Sequence, residues 1–578
     1  MRPYSSKAPT VKSHRSPLAC RVEVTLGFDL NARMQRWADK EVPVRDPFRS
    51  LLAAALLLAA PLVVSDAQAQ SDPKILRAVI TGELRSIDPV WTTAVQTRYH
   101  SFMVYDTLFG LDAEQAIKPQ MVESWTVSPD NLVYTFTLRD GLKFSDGAPV
   151  TAEDVVVSWK RWAERDGAGQ MTLLFLASLE ALDAKTFRAR LKEPFGQLMF
   201  ALAKPMAMPL FIMPARVQRG VSGSEQIKDG TGSGPFIMKT DEWVAGSKTV
   251  YVKNPGYVPR SEPASGIAGG KRVLVDRVEW LVIPDAATQS AALQRGEVDF
   301  VESPAADLVP SLRRAGGIAV EPLWGTGTQG TLRINHTNPP FDNPAARLAM
   351  HNFVLQPDMI LAVTGDAKFG QVCGALLICG SPNGSEHGAD LLISKDPPEV
   401  RIKRGVEMLK AAGYKGEKLI FLDPQDQPIM HGATQVMVDA MRRGGLNVDM
   451  QTMDWATLIT RRTVKGPAAN GWHLFMTTGG PLGPSNPAFH IQMSGGCDKA
   501  FFGWPCDEEI DRLRAAWVRE TNPVKARWLA ENIQLRGMQI GVYMPFGQYL
   551  SPAAWRDSLA GLLRVPETIV FWNIAKTK

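Results

Sequence analysis

The sequence predicts an α/β fold, and two neighbouring segments carry most of that prediction. Residues 131–141, NLVYTFTLRDG, alternate between two sets of side chains with the period of a half-buried strand. A helical segment follows, in which Thr151 is placed to cap the N-terminus and Val155, Trp159 and Trp162 form one apolar stripe. The same mixture of strands and helices continues along the chain, which is typical of α/β proteins.

The other elements are predicted by the same rules, in chain order. They are a strand at 74–80, a strand at 278–284, a helix that Gly296 ends, a helix within 398–416 that has Ile402, Val406 and Leu409 on one face and ends at Gly413, and a helix at 507–520 with Ile510, Leu513 and Trp517 aligned.

The N-terminal region predicts export. Residues 51–64 form an apolar run of 14 residues, whereas a membrane span needs about 20. Basic residues between 36 and 49 precede the run, and Ala67-Gln68-Ala69 follows it as a small-x-small cleavage pattern. We expect a start at Met34, cleavage after Ala69 and, because no cysteine follows nearby, no lipid anchor. The mature chain is predicted to be periplasmic; a buried cytosolic helix would show polar residues at helical spacing, and this run has none.

Charge argues against a nucleic-acid partner. The chain has 64 basic and 59 acidic residues, and residues 1–69 hold 10 and 6 of these, so the mature chain keeps a net charge near +1. Nucleic-acid binders instead concentrate basic residues in a stripe. The mature chain is long enough for two or three domains.

Four cysteines remain after the leader, which takes Cys20 with it. They form two close pairs, Cys373 with Cys379 and Cys497 with Cys506. Five and eight residues separate the partners, unlike the two-residue knuckles of zinc sites, and no histidine lies at a ligand-like spacing. In an oxidising compartment the better interpretation is two local disulfides and no metal.

No catalytic motif is present in the sequence. It lacks HExxH, a P-loop and GxSxG, and the glycines of 230–236 precede a strand-like stretch rather than the helix that a phosphate loop needs. We therefore expect no enzyme activity and no cofactor.

Several stretches together resemble one family. The stretches are 105–112 (YDTLFGLD), 118–161, 232–236 (GSGPF), 289–302, 338–360 and 407–416 (EMLKAAGYKG). In this order they are similar to the extracellular solute-binding proteins of the peptide/nickel ABC-transporter family, which include oligopeptide- and dipeptide-binding proteins.

The resemblance implies a two-lobed periplasmic binding protein, with a hinge, a ligand cleft and an extra domain inserted in the first lobe. Lobe one would comprise 70–117, 230–328 and 546–578, the inserted domain 118–229, and lobe two 329–545. Such a protein is expected to close on its solute by hinge motion, without covalent chemistry.

The implied function is the substrate-binding component of an ABC importer. It would capture a peptide or peptide-like solute and deliver it to a membrane permease and its ATPase, acting as a monomer. Non-peptide solutes (an opine, a sugar, a metal chelate), glutathione-like compounds and a sensor role remain open, and an exported hydrolase is the least supported alternative.

Peptide-binding members of the family often pair the ligand's amino group with a carboxylate on a loop that corresponds to 473–496. Here no Asp or Glu occurs from Trp455 to Cys497. One interpretation is a solvated loop that happens to lack acids. The other is a wall for neutral or anionic groups, which would favour N-blocked or anionic solutes over free-amine dipeptides. The candidate ligand-binding residues are Tyr105, Trp324, Trp455, Thr477, Thr478 and Asn486, although each aromatic could equally be a core residue.

Overall fold

The structure is a computed structural model that describes residues 74–577 apart from 392, 468 and 469. The predicted leader, its start at Met34 and its cleavage after Ala69 lie outside the described residues. Within the described part of the chain, no helix is both long and apolar enough to cross a bilayer. Three sheets of four or more strands organise this part of the chain.

A seven-stranded sheet forms the centre of the first lobe. Ile75–Val79 lies in its middle, parallel to Arg277–Leu281 and Phe300–Val301. Because successive side chains of a strand point to opposite faces, Leu76 enters one apolar core and Val79 the other. The strand order is Phe236–Met238, Lys248–Lys253, Arg277–Leu281, Ile75–Val79, Phe300–Val301, Pro552–Arg556 and Ile318–Pro322. The helices of this lobe are Val95–Val104, Thr240–Glu242 (3₁₀), Ala286–Arg295 and Val309–Arg314.

Residues 122–218 build a separate four-stranded antiparallel sheet with its own core. The strand order is Val122–Val127, Val133–Leu138, Thr186–Leu191 and Leu176–Ala181, and the helices are Ala152–Ala163, Gly167–Phe175, Leu198–Ala203 and Ala215–Gln218. Thr151 caps the first helix in a capping box with Asp154, and both Trp159 and Trp162 are fully buried. The strand and the helix predicted here from the sequence are confirmed.

A six-stranded sheet forms the centre of the second lobe. Its strand order is Gly370–Gln371, Met544–Tyr549, Thr328–Ile334, Leu474–Gly479, Leu419–Pro424 and Val448–Met453. The α-helices are Pro344–Ala349, Gln356–Thr364, Pro398–Ala411, Pro428–Arg443, Trp455–Arg461, Glu508–Arg519 and Pro523–Ile540. The 3₁₀ helices are Met350–Phe353, Ala367–Phe369, Ala389–Leu391, Ile491–Met493 and Cys497–Lys499. Ile510, Leu513 and Trp517 are buried, as their spacing predicted.

Three short strand pairs complete the described fold. They are Asp106–Thr107 with Phe211–Ile212, Phe109–Leu111 with Ile117–Pro119, and Leu559–Ala560 with Ala575–Lys576. The first pair carries a fully buried ion pair, in which Lys271 Nζ lies 2.7 Å from Asp106 Oδ1.

Two short segments, 323–327 and 550–551, join the seven-stranded sheet to the six-stranded sheet. They run side by side at Gly327, whose φ is +64° and where an added Cβ would lie 2.5 Å from the Tyr549 carbonyl oxygen. Only glycine fits this close approach without strain. The fold is therefore the predicted α/β arrangement of two lobes connected by paired crossings.

Candidate binding cleft between the lobes

A cavity of about 390 Å³ lies between the two lobes, next to the crossings. Its walls come from 303–313 of the first lobe, 363–369 and 428–429 of the second, and 549–552 of the second crossing. Small-molecule sites are typically clefts of roughly 300–1,000 Å³. The cavity is therefore of a size that holds a small solute.

Apolar and small side chains dominate this cavity. The charged side chains among its described lining residues are Arg313 and Asp366, which form an ion pair of 2.8 Å from one lobe to the other. The Arg313 guanidinium also lies 4.7 Å from the centre of the Phe369 ring. The Lys368 N–H, together with Arg313, lowers the pKa of Asp366. Because these two charges pair with each other, this part of the cleft best matches an apolar or uncharged portion of the solute.

A second contact between the lobes involves the loop after strand Leu474–Gly479. The Leu482 N–H donates to Glu567 Oε1 at 2.9 Å, and Glu567 belongs to the C-terminal segment that returns to the first lobe. Glu567 has a left-handed backbone, with φ +60°, and its carbonyl oxygen accepts a hydrogen bond from Arg98 Nη2. The loop thus has no carboxylate of its own, but the fold brings that of Glu567 to it. The preference for neutral or anionic solutes stays a prediction.

A third contact connects the four-stranded sheet region to the second lobe. Gly196 N–H donates to the Val518 carbonyl at 2.9 Å, and Arg519 pairs with Glu193 at 2.9 Å. Asn486 Nδ2 donates to Gln197 Oε1 at 3.2 Å. These bonds and the other two contacts are places where the lobes touch.

The structure separates the six predicted ligand-binding residues. Thr477 and Thr478 lie on strand Leu474–Gly479, immediately before the loop that contacts Glu567, and Asn486 lies in that loop region. Tyr105 is fully buried in the core of the first lobe, where burial raises its pKa above the ordinary value. Trp324 is half-buried in the first crossing and packs against the same core.

Trp455 lies elsewhere, at the carboxyl end of strand Val448–Met453. It begins helix Trp455–Arg461, and its N–H donates to Asp426 Oδ1 at 2.8 Å. Asp426 precedes helix Pro428–Arg443, whose first residues line the cavity. Three of the six residues are thus brought together beside the lobe contact, and the ligand-binding role of all six stays a prediction.

Sequence reasoning missed Glu567 and the pair Arg313–Asp366, which connect the lobes, and Arg98, which donates to Glu567. Arg98 lies in an unremarkable helix, and nothing in the C-terminal sequence marks Glu567 as left-handed. Both become visible only when segments far apart in the chain are placed in contact.

Both predicted disulfides are confirmed. Cys373 and Cys379 are bonded with a Cα–Cα distance of 5.9 Å, and Cys497 and Cys506 with one of 4.0 Å. Each bond closes a short loop within the second lobe.

Comparison with known proteins agrees with this architecture. Residues 116–501 match the family described as bacterial extracellular solute-binding proteins, family 5. A curated relative, the "Probable peptide ABC transporter periplasmic-binding protein y4tO" of Sinorhizobium fredii, is 35% identical over 92% of this chain and 99% of its own. The "Glutathione-binding protein GsiB" of Escherichia coli K12 is 26% identical over 89% of this chain and 96% of its own.

A solved structure, HbpA2 from Haemophilus parasuis, superposes with a TM-score of 0.71 at 19% identity. The superposition covers 87% of this chain and 99% of HbpA2 and shows a shared fold. These matches confirm the resemblance predicted from the sequence. The chain belongs to the bacterial extracellular solute-binding proteins of family 5.

Proposed function

We propose that this protein is the periplasmic substrate-binding component of an ABC importer, which captures a peptide or peptide-like solute between its lobes and delivers it to a membrane permease and its ATPase. The observation that carries the proposal is full-length similarity, at 35% identity, to a relative named as a peptide ABC transporter periplasmic-binding protein. The interlobe cavity of about 390 Å³ supplies a place for the solute.

Hinge closure supplies the mechanism. The two lobes are covalently joined at only the paired crossings 323–327 and 550–551 among the described residues, so a rotation there opens the cavity without unfolding either lobe. A solute that contacts both lobes binds the closed form more tightly and shifts the population toward it. The permease would then recognise the closed shape.

The direct contacts between the lobes are too weak to keep the protein closed without a solute. Arg313 and Asp366 are both about one-third exposed, and Arg519 and Glu193 are about half exposed. Ion pairs this exposed are screened and contribute little to stability. The closed form therefore needs a further contribution, which the bound solute provides.

The sheets support the predicted lobe boundaries. We place lobe one at 70–117, 230–328 and 546–578, the inserted domain at 118–229 and lobe two at 329–545, with one refinement. Strand Met544–Tyr549 pairs throughout with the six-stranded sheet, so the last boundary is better drawn at 550–551. Limited proteolysis tests these limits, since cleavage is expected in the crossings before it occurs in the sheets.

Export completes the proposal. The chain would be cleaved after Ala69, would carry no lipid anchor and would act as a monomer in the periplasm. Intact-mass measurement of protein purified from the periplasm is expected to give a chain that begins at Gln70, and a mature chain that retains residues 1–33 would contradict it.

The solute class is tested directly by binding. Protein purified from its native periplasm is denatured, and mass spectrometry identifies what it releases; calorimetry with di- and tripeptides then measures affinity. Recovery of peptides, and their tight binding without hydrolysis, is expected. Absence of peptide binding, or turnover of the peptide, would contradict the proposal.

Glutathione is the second candidate solute, because one relative is named as a glutathione-binding protein. Glutathione is itself a peptide-like anion. Competition between glutathione and a simple tripeptide in the same calorimetric titration decides between the two.

A further inference from the structure

Arg98 is a buried cation that the folded chain leaves with few partners. Its side chain belongs to helix Val95–Val104, and the residue is 8% exposed. Nη2 donates to the Glu567 carbonyl oxygen, whereas the buried Nε has no hydrogen-bond partner. Among the described residues, no carboxylate lies within ion-pair distance, 4.0 Å, of this guanidinium.

Two other buried guanidinium groups have more partners. Arg161 makes a two-point ion pair with Asp88, at 3.0 and 2.7 Å. Arg333, which is fully buried without a carboxylate, donates to the carbonyls of Phe502, Gln492 and Val542. Buried charges are normally paired or fully hydrogen-bonded, because an unpaired charge loses its hydration without compensation. Arg98 has neither solution.

The acidic groups near Arg98 are hydrogen-bonded to other residues. Glu302 accepts from Tyr99 Oη at 2.8 Å and from the Thr81 N–H at 2.5 Å, and burial raises its pKa. The Glu567 carboxylate accepts from the Leu482 N–H of the second lobe. The partner that Arg98 lacks is therefore not supplied by these side chains.

Arg98 donates to the same residue, Glu567, that contacts the second lobe. That contact forms only when the lobes meet. The one acceptor of Arg98, the Glu567 carbonyl, belongs to the residue that bridges to Leu482. Glu567 is held in a left-handed backbone conformation, which costs energy for a residue with a side chain. Strain of this kind is concentrated at ligand clamps and switch regions.

We infer that Arg98 is a specificity-determining residue that binds a carboxylate of the solute when the lobes close. A guanidinium presents paired N–H donors that match the two oxygens of a carboxylate, and the free Nε of Arg98 is one such donor. The inference rests on the proposed function and narrows its substrate class to solutes with an accessible carboxylate, such as a peptide with a free C-terminus.

The test compares peptides that differ only in this carboxylate. Calorimetry measures dissociation constants of the wild-type chain for di- and tripeptides, each as the free acid and as the C-terminal amide, with an added pair that carries an acidic side chain. Arg98→Gln removes the guanidinium charge, and Arg98→Lys keeps a charge but loses the two-point geometry. Arg165→Gln is the matched control, since Arg165 is an exposed arginine in the four-stranded sheet region.

We expect the wild-type chain and Arg165→Gln to bind the free acid at least tenfold more tightly than the amide. In Arg98→Gln this preference is expected to disappear, and in Arg98→Lys to shrink. If the C-terminal amide of the acidic peptide binds the wild-type chain as tightly as its free acid does, the carboxylate that Arg98 binds comes from a side chain rather than from the C-terminus.

An unchanged acid-to-amide ratio in Arg98→Gln overturns the inference while leaving peptide binding intact. Failure of the wild-type chain to bind any peptide overturns the proposed function, and this inference falls with it. Thermal melting checks the fold of each variant, and if Arg98→Gln does not fold, the ratio measured with Arg98→Lys decides.

Discussion

Substitution of Gly327 by alanine is expected to destabilise the folded protein, because this glycine allows the two crossings to approach closely. Its φ of +64° is left-handed, which costs an L-residue about 1–2 kcal/mol. The new Cβ would also lie 2.5 Å from the Tyr549 carbonyl oxygen and 3.0 Å from Leu550 Cδ2. Forcing an extra carbon into packed surroundings costs about 1–3 kcal/mol. The two contributions together predict a loss of about 2–5 kcal/mol.

Urea unfolding measures the loss of stability, and calorimetry measures binding of the solute. Because the backbone shift that relieves this overlap displaces the crossings, Gly327→Ala is also expected to weaken binding of the solute by about tenfold or more, or at least 1.4 kcal/mol. Gly325→Ala is the matched control in the same segment: its Cβ would meet no atom within 4 Å and its φ is not left-handed. The control is expected to stay within about 0.5 kcal/mol of wild type. Equal stability and affinity of the two variants would refute the role assigned to Gly327.

Three further outcomes are expected. Lys271→Met leaves Asp106 buried without its ion pair and should lower the free energy of unfolding in urea by about 3–5 kcal/mol. The double variant with Asp106→Asn removes the charge but keeps an acceptor oxygen for Tyr257, so it should recover much of the loss; equal losses in both would contradict this. Burial lowers the pKa of His351 to about 3, below its unfolded value of about 6.5, so the unfolded state binds the proton first and stability should be lost as pH falls from about 6.5 toward 3. Unfolding curves recorded over a pH series measure this loss. If the free energy of unfolding of His351→Leu falls with decreasing pH as steeply as that of the wild type, the assignment is refuted. Replacing Cys497 and Cys506 by serine should cost roughly 2–3 kcal/mol in the same urea assay, and an unchanged midpoint would show that the bond does not stabilise the fold.

Local sequence signals predicted the individual elements well. The helix that starts at Thr151 is correct because its cap partner, Asp154, is three residues away. The disulfide partners lie six and nine positions apart, so chain proximity alone made the pairing probable. Interactions over such short separations depend on spacing, which the sequence states directly.

The composition of one loop was a less reliable guide. The stretch from Trp455 to Cys497 has no acid of its own, but the fold brings the Glu567 carboxylate to Leu482, which the composition of the loop did not indicate. Tyr105, a candidate for the cleft, is fully buried in a core. An aromatic residue in a strand or helix fits either environment, and its own sequence neighbours do not distinguish them.

The sequence by itself determined the class of fold, the helix caps, the disulfide loops and, through its family resemblance, the two-lobed plan. Tertiary structure decided how the lobes meet. Glu567 lies 85 positions from Leu482 and 469 from Arg98, and Arg313 lies 53 from Asp366. Whether such residues touch depends on the packing of whole lobes and the angle of the hinge, because burial and charge act through space and not along the chain.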